Sequence, residues 1–475
     1  MSKDYEVLIF ISDQHSGAVC GYAGDPVVRT PNLNRIAAKG AAFLNAYTSC
    51  PLCVPARASL MTERYPIDIG VVDNAQSFAS HEPTFAHSLG SNDYQTSLCG
   101  RMHFNGMDQR HGFDQRIALD ITNTFWGGSC TEIAFAKRDV HEIFPLDRDE
   151  AYHYDHYVAE EAVKYLEQDH EEKQMIVVGT YMPHCPLGAP QELADYYRDK
   201  MKDTPHDITM PYLCDGVLRT RKRFGSDDLE QSYRERAYYY AMIEDEDMLV
   251  GKVYDKFHEY CECKGKPGIF IYTSDHGDMM GDKGLYAKRN LFEYASKIPL
   301  IIQVDGKEHQ EIHTPVSLMD ISATICSLTG SPRLPYGEGR DLTKALDGEP
   351  LEDIPVISNI LGSGRNGEGD SYGTMVRYQN YKFITYKGLE DQELLFDIDK
   401  DPKEHVNLIS EHPEVVSYLR EIAENHNFGS EIKLKKYKET AEGGPDCINN
   451  ATILSAYGAK RQYLNETWHL MTGTI

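Results

Sequence analysis

Val7-Leu8-Ile9-Phe10-Ile11 runs directly into Ser12-Asp13-Gln14-His15 near the start of the chain. An apolar run without alternation predicts a strand buried on both faces, as in a parallel sheet, whose carboxyl end delivers polar groups. The arrangement returns twice. Met175 to Thr180 leads into Tyr181-Met182-Pro183-His184, and Gly268 to Thr273 leads into Ser274-Asp275-His276-Gly277-Asp278. Ligands of open α/β sheets bind outside the carboxyl ends of the strands, so three such ends are expected on one rim. Helical stretches lie between them, such as Asn32 to Lys39, entered by Thr30-Pro31 and closed by Gly40. Alternation of this kind predicts an α/β fold with a large, mostly parallel sheet sandwiched by helices.

The pattern changes near residue 340. A Gly-rich loop, Gly362 to Gly369, precedes strand-like runs at Gly373 to Tyr378, Lys382 to Tyr386 and Glu393 to Asp397, which predict a smaller C-terminal antiparallel sheet. Glu414 to Asn425 reads as an amphipathic helix, and the tail after Phe428 reads either as a lid or as an arm that contacts a partner. The expected division is 1–345 and 346–475.

Of 475 residues, 41% are hydrophobic and 26% charged, as in an ordinary folded chain. A net charge of −26 argues against nucleic acid or an anionic membrane as partner, since such surfaces require clustered Lys and Arg. An anionic substrate would have to be held by a few local cations. The first residues have neither the basic region nor the long apolar stretch of a signal peptide, and no segment approaches the ~18 apolar residues of a membrane span, so the expected location is cytoplasmic. Eleven cysteines without paired zinc-type spacing read as buried small residues or free thiols.

Cys53-Val54-Pro55-Ala56-Arg57 carries the chemistry, together with Gly100-Arg101-Met102-His103, Pro183-His184-Cys185-Pro186 and Lys288. Asp13, Gln14, Asp275 and His276 stand at strand ends where they can converge, and this oxygen-rich set suits Ca²⁺, with His276 also admitting Mn²⁺. Arg57, four residues after Cys53, would turn back toward it on a helix.

Taken in order, these motifs resemble the formylglycine-dependent sulfatases of the alkaline-phosphatase-like superfamily. The likeness extends to Thr30-Pro31-Asn32-Leu33, His111-Gly112-Phe113-Asp114 and Glu393-Leu394-Leu395-Phe396-Asp397. Asp73-Asn74-Ala75, Met102-His103-Phe104 and Asp108-Gln109 are most similar to the branch holding choline sulfatases and phosphonate monoester hydrolases. The resemblance implies that Cys53 is oxidised by a formylglycine-generating enzyme to an aldehyde. Its hydrate would attack sulfur with one hydroxyl and expel sulfate with the other. It further implies metal ligation by Asp13, Gln14, residue 53, Asp275 and His276, and sulfuryl contacts by Arg57 and Arg101. His103 would be the base for sulfate expulsion, His184 and Lys288 would bind sulfate and protonate the leaving alcohol, and Asn74 would touch substrate. His15, His111 and Asp278 are kept as supports.

Three departures matter. Many relatives have a carboxylate where this chain has Gln14, and Asn or a similar residue in place of His276. Arg101 replaces the usual Lys. A site with less negative charge leaves its cation more accepting of dianions, so phosphonate or phosphodiester hydrolysis stays open beside sulfate monoester hydrolysis. For the latter a sulfated carbohydrate or small alcohol is expected, with choline sulfate as an alternative. Whether the tail builds a homo-oligomer or folds back is open.

Overall fold

The computed structural model describes residues 4–74, 76, 79–105, 108–121, 141–146, 154–202, 207–208, 212 and 214–427. The tail from Phe428 onward lies outside them.

The opening run forms the strand Glu6–Asp13, buried along its whole length. Leu8 and Phe10 enter the apolar cluster on one face of the sheet, and Val7, Ile9 and Ile11 enter the cluster on the other. This two-sided burial is why the sequence shows no alternation. The strand sits inside an eight-stranded sheet ordered Gln310–Ile312, Ala41–Phe43, Leu300–Val304, Gly268–Ser274, Glu6–Asp13, Lys173–Pro183, Tyr94–Gly100, Gln115–Ala118. Gly268–Ser274 and Lys173–Pro183 flank the first strand in parallel. Leu300–Val304 is antiparallel to both of its neighbours. The sheet is therefore mixed but mostly parallel, and three of its central strands end beside one another, as expected.

One face is covered by the long helix Leu229–Lys264 with Tyr154–Leu166, Gln191–Lys202 and Pro31–Ala37. Asp228 caps the long helix by accepting from the backbone amides of Glu230 at 3.0 Å and Gln231 at 3.1 Å, and Gly265 ends it at φ 62°. The other face carries Cys53–Thr62, Phe85–Gly90 and Asp320–Thr329.

The C-terminal sheet is antiparallel, in the order Val356–Ser363, Asp370–Tyr378, Tyr381–Tyr386, Leu394–Asp397. Its first strand was not anticipated, and it takes in the start of the Gly-rich run as the arm of a hairpin. Helix Pro413–Asn427 covers one face through Val416, Leu419 and Ala423 against Val376, Phe383 and Leu395. The opposite face packs Met375, Ile384 and Phe396 with Tyr47, Leu52, Leu291 and Phe292. The small sheet thereby backs the two segments that carry Cys53 and Lys288. Among the described residues no cysteine is in a disulfide, and no helix is long and apolar enough to cross a membrane.

Candidate active site

Cys53 is the first residue of helix Cys53–Thr62 and is fully buried. Four of the first amides of a helix have no partner within it, and its dipole favours negative charge at that end. Asn74 Oδ1 accepts from one of them, Val54 N, at 3.0 Å. Asn74 thus holds the first turn of the helix that begins at Cys53.

Around Cys53, the carboxyl ends of two adjacent strands bring ligand atoms of Asp13, Asp275 and His276 together. With Cys53 Sγ, all lie within 4.8 Å of one another, and all four residues are buried. Cys53 Sγ is 3.1 Å from His276 Nε2 and 3.7 Å from Asp13 Oδ1. His276 Nδ1 faces the carbonyl of Gly277 at 3.0 Å, which puts a ring proton on Nδ1 and directs Nε2 into the cluster, as a metal-binding imidazole requires. Burial opposes a charge on His276, yet Asp275 and Cys53 raise its pKa. The cluster draws in a proton where a cation would bring its charge, so this donor set fits a divalent ion.

Gln14 enters differently. Its backbone has φ 76°, with the amide donating to Asp275 Oδ1 at 3.0 Å and the carbonyl accepting from Tyr239 OH at 2.6 Å. A non-glycine residue held in the left-handed region by bonds at both ends is the kind of strain that clusters at functional sites. Its side-chain amide nitrogen donates to Asp278, and its amide oxygen accepts from Lys288. To ligate a metal through that oxygen, Gln14 has to exchange the ammonium for the ion.

The two arginines do not point away from the acids toward open space. Arg57 is buried and spans both carboxylates, with Nε 2.8 Å from Asp275 Oδ2 and Nη2 3.3 Å from Asp13 Oδ2. Arg101 Nε reaches the same Asp13 oxygen at 2.5 Å. Burial and the neighbouring Cys53 push the Asp13 carboxyl up, but Arg101, His184 and Arg57 outweigh them and hold it at about 2. Each acid thus keeps one oxygen on guanidinium and turns the other, Oδ1, toward Cys53 and His276.

Arg101 Nη2 also contacts His103 Nδ1 at 2.9 Å. Guanidinium can only donate, so Nδ1 accepts and the ring proton of His103 lies on Nε2. Burial and the Arg101 charge keep the His103 pKa low. In this arrangement His103 is a hydrogen-bond donor, and taking up a proton requires release of the Arg101 contact. Asp120, absent from the sequence reading, fixes both residues. Its Oδ2 accepts from Met102 N at 2.9 Å and His103 N at 2.5 Å, and its Oδ1 lies 3.4 Å from Arg101 Nη1. It follows the strand Gln115–Ala118, so it repeats the strand-then-acid pattern in a run too short to stand out.

Lys288 Nζ lies 2.6 Å from His184 Nε2, and His184 Nδ1 lies 2.5 Å from the carbonyl of Cys185. The imidazole donates at Nδ1, and Lys288 Nζ and His184 Nε2 share one proton between them; burial and the Lys288 charge oppose a charge on His184, yet Cys185 and Asp13 raise its pKa to about 10. Burial works against the Lys288 charge, but Cys53, Cys185, Asp13 and Asp275 raise its pKa and keep it. Tyr181 braces this side, its ring 4.9 Å from the Arg101 guanidinium carbon and 4.8 Å from the His184 ring. The net effect converges on residue 53. Burial alone would disfavour an anion there, yet Lys288, His276, His103 and His184 push the Cys53 pKa well below its ordinary value.

His15 is taken up by Tyr272 OH at 2.7 Å and Val19 O at 2.9 Å, and it supports the strand end. Buried His111 packs on Phe104 with ring centroids 4.7 Å apart.

The family model described as Sulfatase matches residues 6–331. A choline-sulfatase of Rhizobium meliloti (strain 1021) is 30% identical over 439 residues, covering 86% of this chain and 82% of the relative. An ulvan-active sulfatase of Formosa agariphila is 26% identical over 454 residues, covering 91% of this chain and 83% of the relative. Among solved structures, the phosphonate monoester hydrolase of Agrobacterium radiobacter superposes with a TM-score of 0.71 at 21% identity, covering 88% of this chain and 95% of that one. This last likeness is one of fold.

Proposed function

The chain belongs to the sulfatase family, and from that premise we propose that it hydrolyses the sulfate monoester of a carbohydrate, with Cys53 as the precursor of a formylglycine nucleophile. The observation that carries this reading is the gathering of Asp13, Asp275, His276 and Cys53 within 4.8 Å at the start of a helix, with Lys288 held close by through Gln14.

Asp13, Asp275, His276 and residue 53 would hold the metal ion, which we assign as Ca²⁺, with Gln14 as a fifth donor once Lys288 turns to substrate. Bound there, the ion supplies Lewis acidity toward the sulfuryl oxygens and the nucleophile. The hydrated aldehyde at residue 53 would supply two hydroxyls on one carbon: one attacks sulfur as the alcohol leaves, and the other gives its proton to His103, once Arg101 releases that ring, as the carbonyl reforms and sulfate departs.

The chain's own residues do the rest. Arg57 and Arg101 fix the carboxylates so that one oxygen of each faces residue 53. His103 donates from Nε2 to the oxygen at residue 53. Lys288 and His184 would bind the sulfuryl group, and the proton they share between Nζ and Nε2, 2.6 Å apart, would go to the departing alcohol oxygen. The same geometry accepts a phosphonate ester, and the Gln14 and His276 departures favour that as a second reading.

Two readouts test the proposal. Peptide mass spectrometry across Cys53 is expected to show the aldehyde in place of the thiol. The matured protein is expected to release inorganic sulfate from sugar sulfates. An unconverted thiol in protein that still turns over, or release of phosphonate alone, would overturn it.

A further inference from the structure

In a chain with 74 acidic and 48 basic residues, the helix Leu218–Phe224 carries Arg219, Arg221, Lys222 and Arg223 and no acid. Arg219 pairs with Asp370 at 2.8 Å and Arg221 with Asp227 at 3.2 Å. Lys222 and Arg223 are exposed, and among the described residues neither has a carboxylate partner within ion-pair distance. A cavity of about 420 Å³ opens along the helix, lined by Leu218, Arg221, Lys222, Gly225, Ser226 and Asp227.

This helix is tied to the active-site rim. Thr220 Oγ1 donates to the carbonyl of Arg289 at 3.3 Å, and Arg289 directly follows Lys288. Arg289 N in turn donates to Pro51 O at 3.2 Å, two residues before Cys53, while its guanidinium holds Asp73 at 2.9 Å beside Asn74. Residues three apart on a helix are neighbours, so Arg223 lies next to Thr220 on the side that meets this loop.

We propose that Lys222 and Arg223, with the adjoining cavity, form a binding surface for the anionic groups of an extended substrate. The substrate class is then a sulfated oligosaccharide bearing further carboxylate or sulfate groups, rather than a small uncharged or cationic sulfate ester. Charge complementarity argues for it: an acidic chain repels polyanions, so two exposed cations without carboxylate partners, on a helix hydrogen-bonded to the loop that carries Lys288, select for them. The proposal rests on the sulfate-ester reading and narrows it.

The test compares matured wild-type protein with Lys222→Ala/Arg223→Ala, using nitrophenyl sulfate and a sulfated tetrasaccharide containing uronate. The expected result is a drop in kcat/KM on the tetrasaccharide of about tenfold, carried by KM, with nitrophenyl sulfate unaffected. Added salt should lower the wild-type value on the tetrasaccharide alone. Equal changes on both substrates, or none on the tetrasaccharide, overturn the proposal. Calorimetric binding of the tetrasaccharide to Cys53→Ala protein, with and without the double substitution, separates it from the sulfatase reading. Weaker binding in the double variant upholds the surface even if turnover fails, and unchanged binding removes it.

Discussion

Under the C-terminal sheet, buried Lys382 is closed in by Glu293 at 2.9 Å, Glu404 at 2.8 Å and Ser296 Oγ at 3.2 Å. Glu293 Oε2 accepts from Tyr47 OH at 3.3 Å, and Arg377 Nε donates to that phenol oxygen at 3.1 Å. At the carboxyl ends of the large sheet, Asp13 and Asp275 are equally buried, but their guanidinium partners take one oxygen of each and leave Oδ1 of both turned toward Cys53 and His276. Both regions hide charge from water, which costs several kcal/mol per ion unless it is compensated. The first is compensated within itself and is structural. In the second, Asp275 Oδ1 accepts the backbone amides of Gln14 and His276, yet it also converges with Asp13 Oδ1, His276 Nε2 and Cys53 Sγ on a point where another cation belongs, and that convergence makes it a site.

The comparison is open to attack from either side. Lys382→Met leaves two buried acids facing each other, and is expected to lower unfolding stability by about 3–5 kcal/mol, measured by denaturant titration, while kcat/KM of the folded fraction stays unchanged. A large loss of kcat/KM without loss of stability would erase the distinction. Chelator dialysis acts on the other region. It is expected to abolish turnover and lower the melting temperature, reflecting about 3–4 kcal/mol for an ion present at hundreds to a thousand times its Kd, with both restored by added Ca²⁺.

Asp120→Asn weakens the hold on Arg101 and on the His103 backbone without touching substrate. A fall in kcat of about 10–100-fold is expected, with KM little changed. The smallest effect concerns acid. The folded pKa of Asp13, about 2, lies below its ordinary 3.8, so its ion pairs stabilise the fold above pH 4. That stability is lost as pH falls from about 4 to about 2, and it amounts to about 2 kcal/mol at neutral pH. Asp13→Asn in the metal-free protein should flatten the stability curve across that range.

The parallel core was legible because strands buried on both faces must be apolar throughout. Val7–Ile11 and Met175–Thr180 proved to be the middles of longer strands, and Gly268–Thr273 a strand complete but for its last residue, Ser274. Leu300–Val304 escaped notice as the reversed member, since buried strands look alike whichever way they run. Val356–Ser363 was missed because its last residues belong to a Gly-rich run that resembles a loop, and only pairing with Asp370–Tyr378 makes it a strand. In the site, residue types and order picked out Cys53, Asp13, Asp275, His276, Lys288 and both arginines. What the sequence could not reveal was direction. Arg57 grips the carboxylates, Gln14 meets Lys288, and Asn74 holds the amide of Val54, because these contacts depend on rotamers and on elements far apart in the chain.

The central claim is that residue 53 is built to carry a nucleophile for sulfate esters. Its most direct test is kcat/KM of matured protein on a matched pair, one sugar as its sulfate monoester and as its methylphosphonate monoester, with Cys53→Ala as background. The sulfate ester is expected to be preferred, and the substitution to remove activity by about four orders of magnitude or more. Preference for the phosphonate ester, or activity surviving in Cys53→Ala, would contradict it.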